Sequence, residues 1–316
     1  MASLRFGLLG TGYWAEHAHG AALVASPHAE LHGVWGREPA KAHDLARRLG
    51  AQGYDNLDDL LGQVDAVAIA VPPDVQAYLA VKAAGAGCHL LLDKPLALDV
   101  PAAEAVVRAA DGNDVASVMF FTARYRPEVE HWTEVAAEGG PWHSAHLVQY
   151  GNIFEPGNPF GASPWRREYG ALWDVGPHAL AAVVPVLGRV ASVAAHRGPA
   201  GSDTVHLILS HMPGPTADGA APAAPGPAST VSLSLSMPSA ATGSQLTLYG
   251  EHGTSTRPEG AFEATEAFAN AVAELAQLVQ SGERRHRCDV HFGLDVTRVL
   301  AAAERALEVP AVEIHY

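Results

Sequence analysis

The chain has 316 residues, 48% of them hydrophobic and 17% charged, and a formal net charge of -14. That length is enough for two domains with their own cores. The acidic balance argues against nucleic acid or an anionic membrane as partner, and no apolar run approaches the ~20 residues of a membrane span.

Met1 to Arg5 is too short to hold a signal sequence before the first strand, and Cys88 and Cys288 lack C-x-x-C spacing, so the expected setting is the reducing cytoplasm. Seventeen histidines raise the question of a metal. His28 and His32 straddle a loop and the start of a strand, and His17 and His19 point to different faces of a helix, so no metal site is expected.

The first predicted element is a strand, Phe6 to Leu9, which runs into Gly10-Thr11-Gly12-Tyr13-Trp14-Ala15 and a helix over Glu16 to Ala25. Strand, tight turn and helix in this order suit a dinucleotide. Gly10 takes the turn, Gly12 has no Cβ to block a pyrophosphate, and Ala15 lets the helix pack close to the strand with its first N–H groups facing the phosphates. Thr11, Tyr13 and Trp14 share that loop and join the candidate cofactor contacts. The stretch Glu30 to Arg37 holds the second strand, with its end at Gly36, where NAD-preferring sites carry an acidic side chain. Glycine leaves room for a 2′-phosphate that Arg37 can pair with bidentately, so NADP(H) is favoured over NAD(H). Glu38 is the rival that would bond a ribose diol if the strand ended later.

Pro39 to Leu49 reads as a helix stopped by Gly50, and Asp65 to Val71 as a strand buried on both faces and bounded by Pro72-Pro73. A helix over Asp74 to Ala84 and a strand over Cys88 to Leu92 follow. Asp93-Lys94-Pro95 then stands at the carboxyl end of a strand, the edge where open α/β sheets bind ligands, which adds Pro72, Asp93 and Lys94 to the cofactor contacts. With a helix over Pro101 to Ala110 and a strand over Ala116 to Phe121, residues 1–121 read as a Rossmann domain, a doubly wound parallel sheet in an α/β protein.

Residues 122–316 read as an α+β domain for substrate binding and oligomerisation, built on a mainly antiparallel open sheet. Val205 to Leu209 and Thr230 to Met237 alternate, the second with Val231, Leu233, Leu235 and Met237 on one face and Ser232, Ser234 and Ser236 on the other. That serine face is either bare to solvent or flat enough to meet another subunit. His211 to Ser229, rich in Pro, Gly and Ala, reads as a mobile hairpin excursion. Phe262 to Ser281 and Asp289 to Leu307 have helical spacing, and Val309 to Ile314 would close as an edge strand.

Between them lies Trp165 to His178. Asp174 and His178 are four apart, which puts them on one face of a helix, with Pro177 in the first turn or at a kink. A carboxylate and an imidazole converging on a gap suit proton transfer to or from a hydroxyl; the pair also reads as a helix-start aspartate and an unrelated histidine. Trp165, Tyr169 and Trp173 stand in the same stretch, and aromatic residues also pack in cores, a reading at least as good for Trp173 as a place in a pocket wall.

The Gly10-Thr-Gly12 turn, Asp93-Lys94-Pro95, Arg124-Tyr-Arg-Pro127 and Asp174-Val-Gly-Pro-His178 occur in the order and spacing of the Gfo/Idh/MocA oxidoreductases. The chain resembles that family over essentially its whole length, including Asp289-x-x-x-Gly293-Leu294. The resemblance implies an NAD(P)-dependent oxidoreductase that moves hydride between nicotinamide and a hydroxyl or carbonyl of a sugar, cyclitol or related small molecule. Lys94 would hydrogen-bond the reacting oxygen beside a cis bond to Pro95, Asp174 would hold substrate, and His178 would act as acid/base. Asp93 replaces the family's usual Glu, Gly170 alone remains of a glycine triplet beside Glu168 and Tyr169, and Thr122, Ala123 and Ala181 replace polar groups. These departures imply a less polar or larger substrate than a free hexose, with Arg124, Trp165, Arg166 and Tyr169 as candidate contacts. Many relatives dimerise through the open sheet face, and the serine-lined face is compatible with a homodimer or homotetramer. Two alternatives stand beside this reading: a nucleotide-dependent glycosidase-like enzyme that oxidises its substrate transiently, and a non-catalytic nucleotide-responsive binding protein. Retention of Lys94, Asp174 and His178 together speaks against the second.

Overall fold

The apolar runs at the start of the chain become the centre of a parallel sheet. In a computed structural model that describes residues 3–199, 201–213, 226–260 and 263–309, six strands form it: β1 (Leu4–Leu9), β2 (Ala29–Trp35), β3 (Gln52–Tyr54), β4 (Ala66–Ile69), β5 (His89–Asp93) and β6 (Ser117–Phe120). Their order is β3-β2-β1-β4-β5-β6, and every neighbouring pair is parallel. Phe6, Leu8 and Leu9 on β1 and all of β4 are fully buried, as continuous apolar strands inside a doubly wound sheet must be. The winding reverses between β1 and β4, and ligands bind such sheets beyond the carboxyl ends of those strands.

Local chemistry sets the helices of this unit: α1 (Ala21–Ala25), α2 (Pro39–Leu49), α3 (Leu57–Leu61), α4 (Pro73–Gly85) and α5 (Val100–Gly112). Asn56 and Asp99 cap α3 and α5 by accepting from the amides of Asp58 and Ala102, and Gly50 ends α2 at φ +72°. The short β3 and α3 were not among the expected elements. One expected helix is altered. Over Glu16 to Ala25 the chain first makes a π-turn, Ala15–Gly20, in which the Ala21 amide reaches the carbonyls of both Ala18 and Glu16, and only then enters α1. After this wider turn His19 is fully buried while His17 stays exposed.

A second unit comprises residues 127–260 and 298–316. It contains α6 (Pro127–Glu138), β7 (Trp142–Tyr150), α7 (Pro164–Asp174), α8 (Gly176–Leu187), β8 (Val190–Arg197), β9 (Val205–His211), β10 (Ala228–Ser234), β11 (Gly243–Gly250) and β12 (Gly253–Thr256). The sheet order is β12-β11-β7-β10-β9-β8, antiparallel throughout except for the parallel pair β10–β7. On β9 the residues alternate, Val205, Leu207 and Leu209 buried and His206, Ile208 and Ser210 exposed, which marks one covered face. Helix α8 packs on β7 and β10.

Three expectations change here. Strand β10 ends at Ser234 rather than Met237, and Ser234 is buried: its hydroxyl and that of Ser236 donate to Asp203, while Ser232 bonds His206. The serines are therefore committed within the unit instead of forming a bare stripe. Second, α7 and α8 taken together, Pro164–Leu187, are long and apolar enough to cross a membrane by length and composition, although no such run was expected. Of their most apolar window 67% is buried in protein, and the backbone breaks from helical geometry at Gly170. Third, the hairpin expected over His211 to Ser229 has tethered ends: His211 is buried and bonds Ser229 and the Gly188 carbonyl, and 214–225 lie outside the described residues.

The chain then returns to the first unit, which comprises residues 1–126 with 261–297. Helix α9 (Ala264–Ser281) sets Phe268 against Phe120 and His19. Helix α10 (Val290–Ala306) starts under the Asp289 carboxylate, which accepts from the amides of His291 and Phe292. A Cβ on Gly293 would lie 3.2 Å from Cβ of Leu96, so glycine lets α10 approach the segment that follows Lys94. The sequence-based division at 121/122 lies near the first crossing at 126/127 but is contiguous, whereas the first unit is built from two separated segments. Apart from Val309, the edge strand expected over 309–314 lies outside the described residues.

Candidate active site

At the end of β1, Gly10 adopts φ +131°, donates its amide to the Trp35 carbonyl, and would place a Cβ only 2.3 Å from the Ala70 carbonyl oxygen. No other residue fits there. A Cβ on Gly12, by contrast, would meet nothing within 4 Å. The first glycine is demanded by the fold, and the second keeps a face of the turn clear, which is the space a pyrophosphate needs. Tyr13 is half exposed and stacks on His17 at 4.1 Å, and Trp14 meets His19 edge-on. Thr11 lies against Gly36, where a Cβ would come within 2.6 Å of its γ-methyl, so an acidic side chain at the end of β2 would displace it. Arg37 is exposed, and the neighbouring Glu38 carboxylate is bound by Lys41 at 2.7 Å, which holds it below the ordinary carboxylate range. Pro72 is exposed just before Pro73 opens α4.

Beyond β5 the backbone around Lys94 is fixed from two sides. Gln76, buried on α4, donates its side-chain amide to the carbonyls of Asp93 at 2.7 Å and Pro95 at 2.8 Å, and accepts from the Asp93 amide at 3.0 Å. Asp93 Oδ1 accepts from the Lys94 amide at 2.8 Å, and its Oδ2 lies 3.5 Å from Nε2 of His19. Burial alone would raise the Asp93 carboxyl, but His19 and Lys94 outweigh it and hold the group ionised below its usual range. The Lys94–Pro95 bond is cis, as the resemblance implied. Arg124, the candidate substrate contact in this unit, is buried in a tight turn, and its carbonyl accepts from Arg287.

In the second unit Asp174 is the last residue of α7, and His178 lies in the first turn of α8, with Pro177 beside it in that turn. The two therefore flank a junction at Val175 instead of sharing one continuous helix. Pro177 sits where its missing N–H has no helical partner to lose. Asp174 is buried and accepts from Nε of Arg166 at 3.0 Å, while the Arg166 guanidinium lies over the rings of Trp165 and Phe160. Of the candidate contacts, Trp165, Arg166 and Tyr169 are each part exposed on α7. Trp173 belongs to the core: it is 1% exposed and donates its indole N–H to Glu304. Gly170 takes φ +61° inside α7, which explains why this glycine of the triplet remains.

Gln76 and His19 were not among the expected site residues. Gln76 carried one signal, a polar side chain on the face of α4 otherwise made of Ala77, Leu79, Ala80 and Ala83. His19 carried none, because its inward direction depends on the π-turn.

Residues 4–121 match the family model for an oxidoreductase family with an NAD-binding Rossmann fold, Gfo/Idh/MocA. The D-xylose 1-dehydrogenase (NADP(+)) 2 of Haloferax volcanii is 30% identical over 226 residues, 68% of this chain and 68% of that protein. The UDP-N-acetylglucosamine 3-dehydrogenase of Acidithiobacillus ferrooxidans is 29% identical over 142 residues, 45% of this chain and 44% of that enzyme. For this enzyme and for a relative from Saccharomyces cerevisiae, of which 58% is matched, the chain spans less than two thirds of the relative's length. A solved structure of a putative myo-inositol dehydrogenase from Sinorhizobium meliloti 1021 superposes with a TM-score of 0.77 at 20% identity, covering 96% of this chain and 97% of that one. By its parallel sheet, its glycine turn and these matches, the chain belongs to the Gfo/Idh/MocA family of NAD-binding oxidoreductases.

Proposed function

We propose that the protein is an NADP(H)-dependent oxidoreductase acting on a hydroxyl or carbonyl of a sugar, cyclitol or related small molecule. The observation that carries this reading is Lys94 just past the carboxyl end of β5, its amide bonded to the Asp93 carboxylate and the backbone of both its neighbours, Asp93 and Pro95, held by Gln76. A group meant to meet a reacting oxygen needs such support, because small misplacements cost large factors in rate. The open face of Gly12, the Gly10 turn, Thr11, Tyr13, Trp14 and Pro72 fit a dinucleotide, which when bound supplies hydride transfer at its nicotinamide. Lys94 donates a hydrogen bond to the reacting oxygen, His178 takes or returns the hydroxyl proton, and Asp174, ion-paired with Arg166, orients the substrate.

Preference for NADP(H) rests on the end of β2. Gly36 has no acidic group, Thr11 fills the space such a group would take, and Glu38 is bound to Lys41, while Arg37 is exposed and able to pair with a 2′-phosphate. That one relative is by name an NADP(+) enzyme agrees with it. Self-association through the open face of the second sheet, as a homodimer or homotetramer, rests on Ile208 and Tyr249, both exposed. The test is a parallel fluorescence titration with NADPH and NADH, followed by reduction of NADP by a panel of sugars, uronates and cyclitols. Tighter NADPH binding and one turned-over substrate support the reading. Binding of neither nucleotide refutes it.

A further inference from the structure

His19 is fully buried, and neither of its ring nitrogens makes a close hydrogen bond among the described residues. Its ring is stacked against Phe268 at 4.0 Å and meets Phe120 and Trp14 edge-on. Aromatic packing accounts for the ring, but not for its nitrogens; a phenylalanine would fill this place without burying two polar atoms. What distinguishes the position is the carboxylate beside it, since Nε2 lies 3.5 Å from Asp93 Oδ2. The opposite oxygen of that carboxylate takes the Lys94 amide at 2.8 Å.

We propose that His19 is a positioning residue for Lys94: its Nε2–H holds the Asp93 carboxylate in the rotamer whose other oxygen fixes the Lys94 backbone. The inference rests on the reading of Lys94 as a catalytic group. Asp93 lies at the strand edge, where its side chain can turn about two bonds. Gln76 binds the backbone of Asp93 and leaves the carboxylate to be oriented by something else. His19 is the side chain that faces Oδ2, and the π-turn over Ala15–Gly20 is what aims it there. The glycine turn and the lysine segment are thereby joined through one imidazole.

The chain has three lysines, Lys41, Lys82 and Lys94, so the full chain labelled with 15N-lysine gives three backbone amide signals. Lys41 and Lys82 pair with Glu38 and Asp58 and serve as internal controls. In His19→Phe, which keeps an aromatic ring against Phe268, the Lys94 amide signal is expected to move while the other two stay. In His19→Gln, which restores a donor, it is expected to return toward its wild-type position. A Lys94 signal unmoved in His19→Phe overturns the proposal. Should that variant not fold, the wild type decides with 15N-histidine, His19 being the signal missing from His19→Gln: a proton on Nε2 supports the proposal, and a proton on Nδ1 with Nε2 bare overturns it. Once a substrate is found, His19→Phe is expected to lower kcat with KM little changed. NADPH titration of the same samples separates the two failures, since loss of nucleotide binding in the wild type refutes the redox reading without touching the Lys94 signal.

Discussion

Replacing Gln76 by leucine tests the support of Lys94 most directly. The side chain is 1% exposed, and leucine has nearly its volume, so the substitution opens little cavity. It removes the partner of three backbone groups at once: the Asp93 amide, and the carbonyls of Asp93 and Pro95. A buried polar group left unsatisfied costs about 1–3 kcal/mol, and the carbonyls keep a second lone pair, so the sum expected is about 2–5 kcal/mol. Against a typical total of ~5–15 kcal/mol this is a large share. Urea unfolding followed by circular dichroism reads it as a lower midpoint at unchanged slope. Gln76→Glu is expected to be worse than Gln76→Leu at neutral pH, because a carboxylate would then face two carbonyl oxygens. A Gln76→Leu variant within ~0.5 kcal/mol of wild type, the range of an indifferent surface change, would refute the claim that this residue clamps the segment.

Four further outcomes are expected. Gly10→Ala, with its Cβ driven against the Ala70 carbonyl at a backbone angle that alanine avoids, should abolish NADPH binding and lower the melting temperature. Lys94→Ala should cut turnover by orders of magnitude while NADPH affinity changes little; unaltered turnover removes Lys94 from the mechanism. Arg37→Ser should weaken NADPH by about 10–100-fold, the loss of a charge-assisted pair, and leave NADH unchanged in the same titration. For Glu274, burial alone would raise the carboxyl, yet hydrogen bonds from His286 and Arg287 outweigh it and keep it below its usual range. The unfolded chain therefore takes up this proton first as pH falls. The stabilisation is complete above the unfolded value of ~4.3 and is lost as pH drops through the lower folded value. Glu274→Gln should accordingly be less stable than wild type at pH 7, and the gap in melting temperature should close in acid; a gap independent of pH refutes the assignment.

What could be read from the sequence was what local backbone and periodicity determine. Gly10, the apolar runs that became β1 and β4, and Gly50 at the end of α2 each follow from a few adjacent residues. For Pro177 the sequence left a first turn or a kink, because proline tolerates few other helix positions, and the structure takes the first turn. The clamp from Gln76 to Asp93 and Pro95 was not legible, since it joins a helix to the strand after it across 17 positions with no period to show it. Nor was the inward turn of His19, which one extra residue in a turn decides against a 3.6-residue pattern. Asp174 and His178 were read as sharing one helix face, but their spacing concealed the junction at Val175. The ion pair of Asp174 with Arg166 requires the backbone break at Gly170 to be known first.

The first unit is closed by a segment made late. Its sheet is complete in sequence at Phe120, yet the helix that covers Phe120 and His19 begins only at Ala264. At a synthesis rate of ~5–20 residues per second, the chain between those positions takes roughly 7–30 s to emerge. Through that interval the nascent sheet shows an aromatic face without its lid, long enough for a chaperone or another nascent chain to meet it. The same order means that an amino-terminal fragment cut after β6 lacks part of its own core, and that loss of the last helices strikes the nucleotide-binding half of the molecule first.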